Sequence, residues 1–292
     1  MSDRPLSRRI LRPAFRLLRG GRGAHFEETW PGLRLSRVDA GGEILWRGHG
    51  LNRLRPHGEV LPGLDRAVIL GSGPSLADQR IEAFDAPALM LNGALCLLPR
   101  LPRPAALVVE DERFVWRHPS MLRRDLPEDL PCFFSPSVIR AIASRDRGLL
   151  RDRPIGLVDD LRKPFDAPRR ALESSAEVVT TQGAAFSLRP DRGVVKCGTV
   201  AFSALQIAMG LGAKDICLAG IDLKNADAPR FYEEKGQAAW SGIVKGQARI
   251  LAHFALARDV ASGRGIRLTC ASPVSALRDI GYPPDELTEG AA

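Results

Sequence analysis

A chain of 292 residues with 45% hydrophobic and 26% charged side chains can bury a large core, which excludes a disordered or disulfide-stapled chain. Its formal charge of +8 asks for an anionic partner (a phosphorylated substrate, an acidic lipid surface or nucleic acid) but says nothing of the fold. Five scattered cysteines without a CxxC spacing, and the lack of an apolar run long enough to span a bilayer or serve as a secretion signal, point to a reduced, cytoplasmic protein.

Residues 1–24 form a basic amphipathic segment. Ile10, Leu11, Phe15, Leu17 and Leu18 are interleaved with Arg8, Arg9, Arg12, Arg16 and Arg19, and Gly20-Gly21 closes the run. This pattern suits peripheral contact with an anionic membrane at its inner face, an RNA-binding arm, or a ragged terminus, with Pro5 and Pro13 limiting any helix. Over residues 25–64, patches such as LRLSRV and EILWRG alternate between Gly and Pro breaks, which predicts a small N-terminal β-rich extension, a short hairpin ahead of the main domain. Trp30, Trp46, His49 and His57 read there as half-buried aromatics and surface histidines.

Residues 65–282 alternate apolar strand candidates with helical spacing. Strands are expected at 66–71, 88–92, 105–110, 131–135, 154–158, 214–220 and 266–270, and helices at 75–84, 112–124, 136–145, 199–212 and 237–262. Continuous apolar strands joined by crossover helices predict an α/β fold with a doubly wound, Rossmann-like, mostly parallel sheet. Residues 146–196 are irregular and predict loops with a lid or inserted hairpin near 178–195, and 283–292 predict a flexible tail.

The most informative stretch is RAVILGSGPSL, residues 66–76: a buried strand, a tight turn, then a helix start. Gly71 and Gly73 let the backbone bend and an anion approach, while Pro74 and Ser75 suit a first helical turn whose free N–H groups favour phosphate. It is not a Walker loop, because no Gly-Lys-Ser/Thr follows. In an open α/β sheet ligands collect beyond the carboxyl ends of the strands, so Gly71, Ser72, Gly73, Pro74, Ser75, Asn92, Glu110, Asp111, Gly220 and Asp222 share one rim. Asn92 offers a donor and an acceptor for a ribose or a base edge, and Glu110 and Asp111 can take sugar hydroxyls or a divalent ion. Gly198 and Thr199 open a small-residue helix, a second helix N-terminus at the same rim.

GSGPSL, a strand ending in Asn92, and a small-residue helix followed by a strand ending LAGID together resemble the bacterial sialyltransferases of the Campylobacter lipooligosaccharide type (glycosyltransferase family 42-like). The segment 66–280 also resembles the related MptE-like (DUF115) family. The first resemblance implies that Gly71, Ser72, Gly73, Asn92, Gly198 and Thr199 hold the cytidine monophosphate part of a CMP-sugar, of sialic-acid or Kdo type. The family's histidine base has no counterpart at the matching point, where WSGIVKGQARILAHF stands, and His253 lies about two turns into the expected helix.

The reading is a glycosyltransferase moving a sugar from a nucleotide donor to a surface-glycan, lipid-linked or lipopolysaccharide-like acceptor, without a required metal. Asp111, Asp222 or Glu110 would take the acceptor proton, and Tyr232, Arg230 or Lys245 would meet the departing phosphate. The alternatives are an MptE-like, ATP-dependent pyrophosphokinase using magnesium on Glu110, Asp111 and Asp222, and a non-catalytic nucleotide-binding scaffold. No motif for nucleic acid accompanies the charge, and a homo-oligomer is compatible with the pattern.

Overall fold

The computed structural model describes residues 4–37, 41–173, 175–224, 230–233 and 243–285. The chain opens with α1 (Leu6–Gly23), which starts after Pro5, runs on through Pro13 and turns sharply at Gly20, where φ is 64°. The expectation that Pro13 would shorten this helix is corrected. Pro13 stands on the exposed side, so the hydrogen bond it cannot make is lost toward water, while Arg8 and Arg12 fasten the inward side to Glu27.

The strands follow in chain order as β1 (Leu33–Leu35), β2 (Gly42–Trp46), β3 (His49–Leu54), β4 (Arg66–Leu70), β5 (Ala88–Leu91), β6 (Pro104–Val109), β7 (Cys132–Phe134), β8 (Ile155–Leu157), β9 (Val178–Thr181), β10 (Ala184–Ser187), β11 (Asp215–Ala219) and β12 (Arg267–Cys270). Among the described residues, ten of them make one sheet in the order β1-β2-β3-β8-β7-β6-β5-β4-β11-β12, and β9 and β10 pair with each other as a separate hairpin. Only β1–β2 and β2–β3 are antiparallel within the large sheet. The expected N-terminal hairpin is therefore no separate layer: β3 pairs in parallel with β8 at Leu54 and Ile155, and continues the sheet.

The chain walks from β4 outward to β8, then crosses to the other side of β4 to lay down β11 and β12. In register, Leu70 stands opposite Ala219, so Gly71 and Gly220 leave the sheet side by side.

Both faces are buried over the central strands β4 to β8 and β11, which is why these read as unbroken apolar runs. Alternation assigns the faces. Ile69, Leu89, Val108, Phe133 and Leu218 point into one core, while Leu70, Met90, Val109, Phe134 and Cys217 point into the other. The helices are α2 (His57–Val60), α3 (Glu112–Arg117), α4 (Pro119–Asp125), α5 (Pro136–Arg145), α6 (Val200–Gly210), α7 (Ile243–Ser262) and α8 (Ala276–Asp279). The first core is covered by α6, α7 and α8, and the second by α3, α4 and α5. Residues 201–209 of α6 are buried throughout, and its Gln206 spends its amide on the backbone of Ser187, Val195 and Phe202, tying the β9–β10 hairpin to the core.

Three expected elements are corrected. The helix at 75–84 is two short 3-10 turns, Pro74–Asp78 and Ile81–Ala83, separated at Gln79 and Arg80, whose backbone is not helical. The helix at 112–124 breaks at His118, since Pro119 cannot continue the ladder. The tail is anchored as far as Asp285: the Tyr282 hydroxyl donates to Phe254 O at 2.9 Å, and the Asp285 carboxylate accepts from Thr269 at 2.7 Å. Residues 286–292, and the 237–242 portion of the last long helix expected, lie outside the described residues.

All five cysteines are free, and no described helix is long and apolar enough to cross a membrane.

Candidate active site

A cleft of about 630 Å³ opens over the ends of β4, β5, β6 and β11, lined by residues from all four loops and from the start of α6. It gathers Gly71, Ser72, Gly73, Pro74, Asn92, Glu110, Asp111, Gly198, Thr199, Gly220, Asp222, Arg230 and Tyr232. Ser75 stands just behind it. Lys245 lies apart, exposed on α7 and outside the residues that line the cleft.

The GSGPS turn differs from a free phosphate cradle. The Gly71 and Gly73 amides donate to Ala219 O and Gly220 O at 2.8 Å each, and the Ser75 amide donates to Asp222 Oδ2 at 2.9 Å. A Cβ on Gly71 would strike the Gly220 carbonyl, and one on Gly73 would lie 2.6 Å from the Asp222 carboxylate. The glycines are needed first so that two loops can touch. Asp222, 4% exposed, also accepts from the hydroxyls of Ser75 and Ser272, the latter at 2.7 Å. Its oxygens are thereby committed to holding the turn, which leaves it unsuited to the base role expected of it.

Asp111 is likewise engaged. It caps α3 by accepting from the Arg113 amide at 2.9 Å and side chain at 2.6 Å, with Arg4 at 3.5 Å. Burial opposes its ionisation, but Arg113 and Arg4 outweigh burial and hold the carboxyl below its ordinary range. Glu110 points to the floor, where its Oε1 lies 3.4 Å from Lys196 and its Oε2 accepts from Ser203 at 3.2 Å. Burial pushes this carboxyl up, with Lys196 pulling against it. Burial alone would discharge Lys196; Glu110, with Glu28, Asp160 and Asp159 nearby, reverses that and keeps the ammonium charged. The three carboxylates thus face three separate sets of partners, and among the described residues no three His, Cys, Asp or Glu converge as a metal-binding group.

Asn92 is the side chain that asks for a ligand. It follows β5 with φ at +50°, lines the cleft, and its Oδ1 is buried without a hydrogen-bond partner among the described residues. Opposite it, Tyr232 lies so close to Gly93 that any Cβ there would enter its ring. Burial pushes the Tyr232 phenol up to about 12, so it remains a donor at neutral pH. Arg230 beside it is held by Glu233 at 3.0 Å.

The sequence did not point to several charged or titratable lining groups, His118 and Lys196 among them. His118 sits at the break between α3 and α4, its ring edge-on to Tyr232 with centroids 5.5 Å apart, and the His-Pro step inside an expected helix was the available signal. Lys196 precedes the Gly198-Thr199 turn it helps to charge. His253 is no part of the cleft: it is buried, bonded to Arg249 O and packed edge-on against Phe202.

Residues 180–271 match the family model of the 3-deoxy-D-manno-octulosonic acid transferase WaaZ. The chain also resembles solved structures of the sialyltransferase CstII from Campylobacter jejuni. One, with the substrate analogue CMP-3FNeuAc, is 13% identical, covers 77% of this chain and 88% of that chain, and has a TM-score of 0.41. A second, with a trisaccharide acceptor and CMP, is 11% identical over 76% and 87%, with a TM-score of 0.39. No curated protein matches the chain.

Proposed function

We propose that the protein is a glycosyltransferase that moves a Kdo- or sialic-acid-type sugar from a CMP-linked donor to a surface-glycan or lipopolysaccharide-like acceptor, on a doubly wound, Rossmann-like domain. The observation that carries this reading is the position of the WaaZ match. It spans Lys196 to Thr199, the Gly220–Asp222 loop and Tyr232, which together form one wall of the cleft. The other wall supplies Asn92, whose buried Oδ1 would accept from a cytidine or ribose donor.

In the reaction the acceptor hydroxyl oxygen bonds to the anomeric carbon, the bond from that carbon to the phosphate oxygen breaks, and CMP departs with the electron pair. The Tyr232 hydroxyl and Arg230 would meet the charge growing on the phosphate, assisted by the Thr199–Ala201 start of α6. We assign the acceptor proton to His118. It lines the cleft and stands edge-on to Tyr232, the group that would meet the departing phosphate. Glu110 and Lys196 form a charged floor beneath the donor. Kinship to MptE-like proteins fits the same frame, but the separate partners of Glu110, Asp111 and Asp222 favour the transferase over magnesium-assisted pyrophosphoryl transfer.

The test is ligand-induced thermal stabilisation by CMP, UDP, AMP and ATP, with and without magnesium, on wild type and Asn92→Ala. At a hundredfold excess over Kd, CMP should add about 2.7 kcal/mol to wild type and clearly less to the variant. Selective stabilisation by magnesium-ATP, or silence across the panel, would overturn the reading.

A further inference from the structure

The polarity of α1 runs opposite to that of an ordinary surface helix. Arg8 is 2% exposed and bonds to Glu27 and to Trp30 O, Arg12 pairs with Glu27 at 2.8 Å, and Phe15 packs on Trp30. Arg8 and Arg12 dock the helix to the protein, and Leu6, Ile10 and Leu17 face outward. Leu6, Ile10 and Leu17 are 70%, 69% and 86% exposed, and with Pro13 their spacing of four, three and four residues aligns them in one stripe. Arg9 and Arg16 flank the stripe, exposed and without an ion-pair partner among the described residues. An inward-facing set of arginines with an outward apolar stripe leaves burial of that stripe to something outside the chain.

We infer that the outward face of α1 is a docking surface for an anionic lipid bilayer, and that it seats the mouth of the cleft at the headgroups. The charge selects the occupant. A second copy of this chain, packed stripe to stripe, would bring two sets of Arg9 and Arg16 together, whereas phosphate headgroups neutralise them while Leu6, Ile10 and Leu17 enter the acyl boundary. Both ends of α1 reach the rim of the cleft. At one end Arg4, a lining residue, binds Glu112 at 2.7 Å. At the other, Arg169 N donates to Arg22 O at 2.9 Å, and the His25 ring meets the carbonyls of Pro164 and Ala167 at 2.8 and 3.0 Å. The loop held there carries Lys163 and Arg169, exposed cations that line the cleft mouth and have no carboxylate partner among the described residues. A bilayer touching α1 therefore lies beside the opening. The docking stands without the transferase reading; only the corollary that a lipid-linked acceptor enters from the membrane side rests on it.

The experiment is co-sedimentation of the full chain with phosphatidylcholine vesicles, with and without one-third phosphatidylglycerol. It compares wild type with the triple variant Leu6→Ser, Ile10→Ser, Leu17→Ser and with Arg9→Gln, Arg16→Gln. Wild type should partition to the anionic vesicles and be released by salt, and each variant should bind at least about tenfold more weakly. All five positions are exposed, and far-ultraviolet dichroism should show the same fold. Absence of binding, equal binding to neutral vesicles, unaltered binding by the triple variant, or a wild-type dimer that the triple variant dissolves would overturn the proposal. Stabilisation by CMP, measured on the same samples, reports separately on the donor site.

Discussion

Asp222 holds Ser75 across the switch in strand order, accepting its amide at 2.9 Å and its hydroxyl as well, while Ser272 donates to the same carboxylate from behind. The Ser75 amide can only donate and the two hydroxyls can also accept, so the discriminating change is Asp222→Ala, which removes the shared acceptor and leaves the Ser75 amide and the buried Ser272 hydroxyl unpaired. The expected loss is about 2–3 kcal/mol in urea unfolding, against about 1 kcal/mol for Ser272→Ala. Equal, small losses would show that the carboxylate is not the clamp.

Gly93 makes room for Tyr232, because the space a Cβ would need is filled by the phenol ring. Gly93→Ala should therefore push Tyr232 out of position and lower kcat about as much as Tyr232→Phe, roughly tenfold to a hundredfold, with a modest stability cost of about 1–3 kcal/mol. If Gly93→Ala turned over donor normally while Tyr232→Phe did not, the coupling between the two would be wrong.

Lys196 compensates Glu110 at 3.4 Å in a half-buried floor. Removing it with Lys196→Met leaves the carboxyl raised still further above its unfolded value. For a group raised in the folded state, the stability it contributes is present at low pH and lost as pH rises through the folded value. The variant should thus be less stable than wild type by about 3 kcal/mol at neutral pH and recover on acidification, a difference read by parallel denaturant curves. A pH-independent deficit would argue against an uncompensated Glu110.

His57 gives the opposite slope. Its Nε2 donates to Leu157 O at 3.0 Å and its ring stands edge-on to Phe133, so burial depresses the imidazole, with Asp191 opposing. The neutral ring's contribution is complete above the unfolded value, about 6.5, and is lost as pH falls toward the folded one. Between about pH 7 and pH 5, wild type should lose stability more steeply than His57→Gln, which keeps a donor but cannot titrate. Parallel slopes would place the acid sensitivity elsewhere.

The parallel strands were legible because burial on both faces writes them as continuous apolar runs, as ALML and AALVV show. Strand ends in such a sheet share a face, which is why Gly71, Asn92, Glu110 and Gly220 could be placed on one rim; they line one cleft. What was hidden are the partners. Nothing in the local pattern says that Asp222 reaches back 147 residues to Ser75, or that Arg8 turns inward to Glu27 while Leu6 turns out. The helix at 75–84 was misplaced because spacing reports periodicity, not where the backbone will turn.

The interlock of Gly71, Gly73 and Ser75 with the loop after β11 has a consequence during synthesis. On the ribosome the GSGPS turn emerges well before Ala219, Gly220 and Asp222, and β4 emerges with one of its two neighbours missing. Until β11 arrives, β4 is an open, apolar sheet edge, and the residues that will face the ligand have the right order but not the right shape. A truncation before residue 215 would keep the most recognisable motif of the chain and lose the site, leaving in its place a surface disposed to pair with another copy.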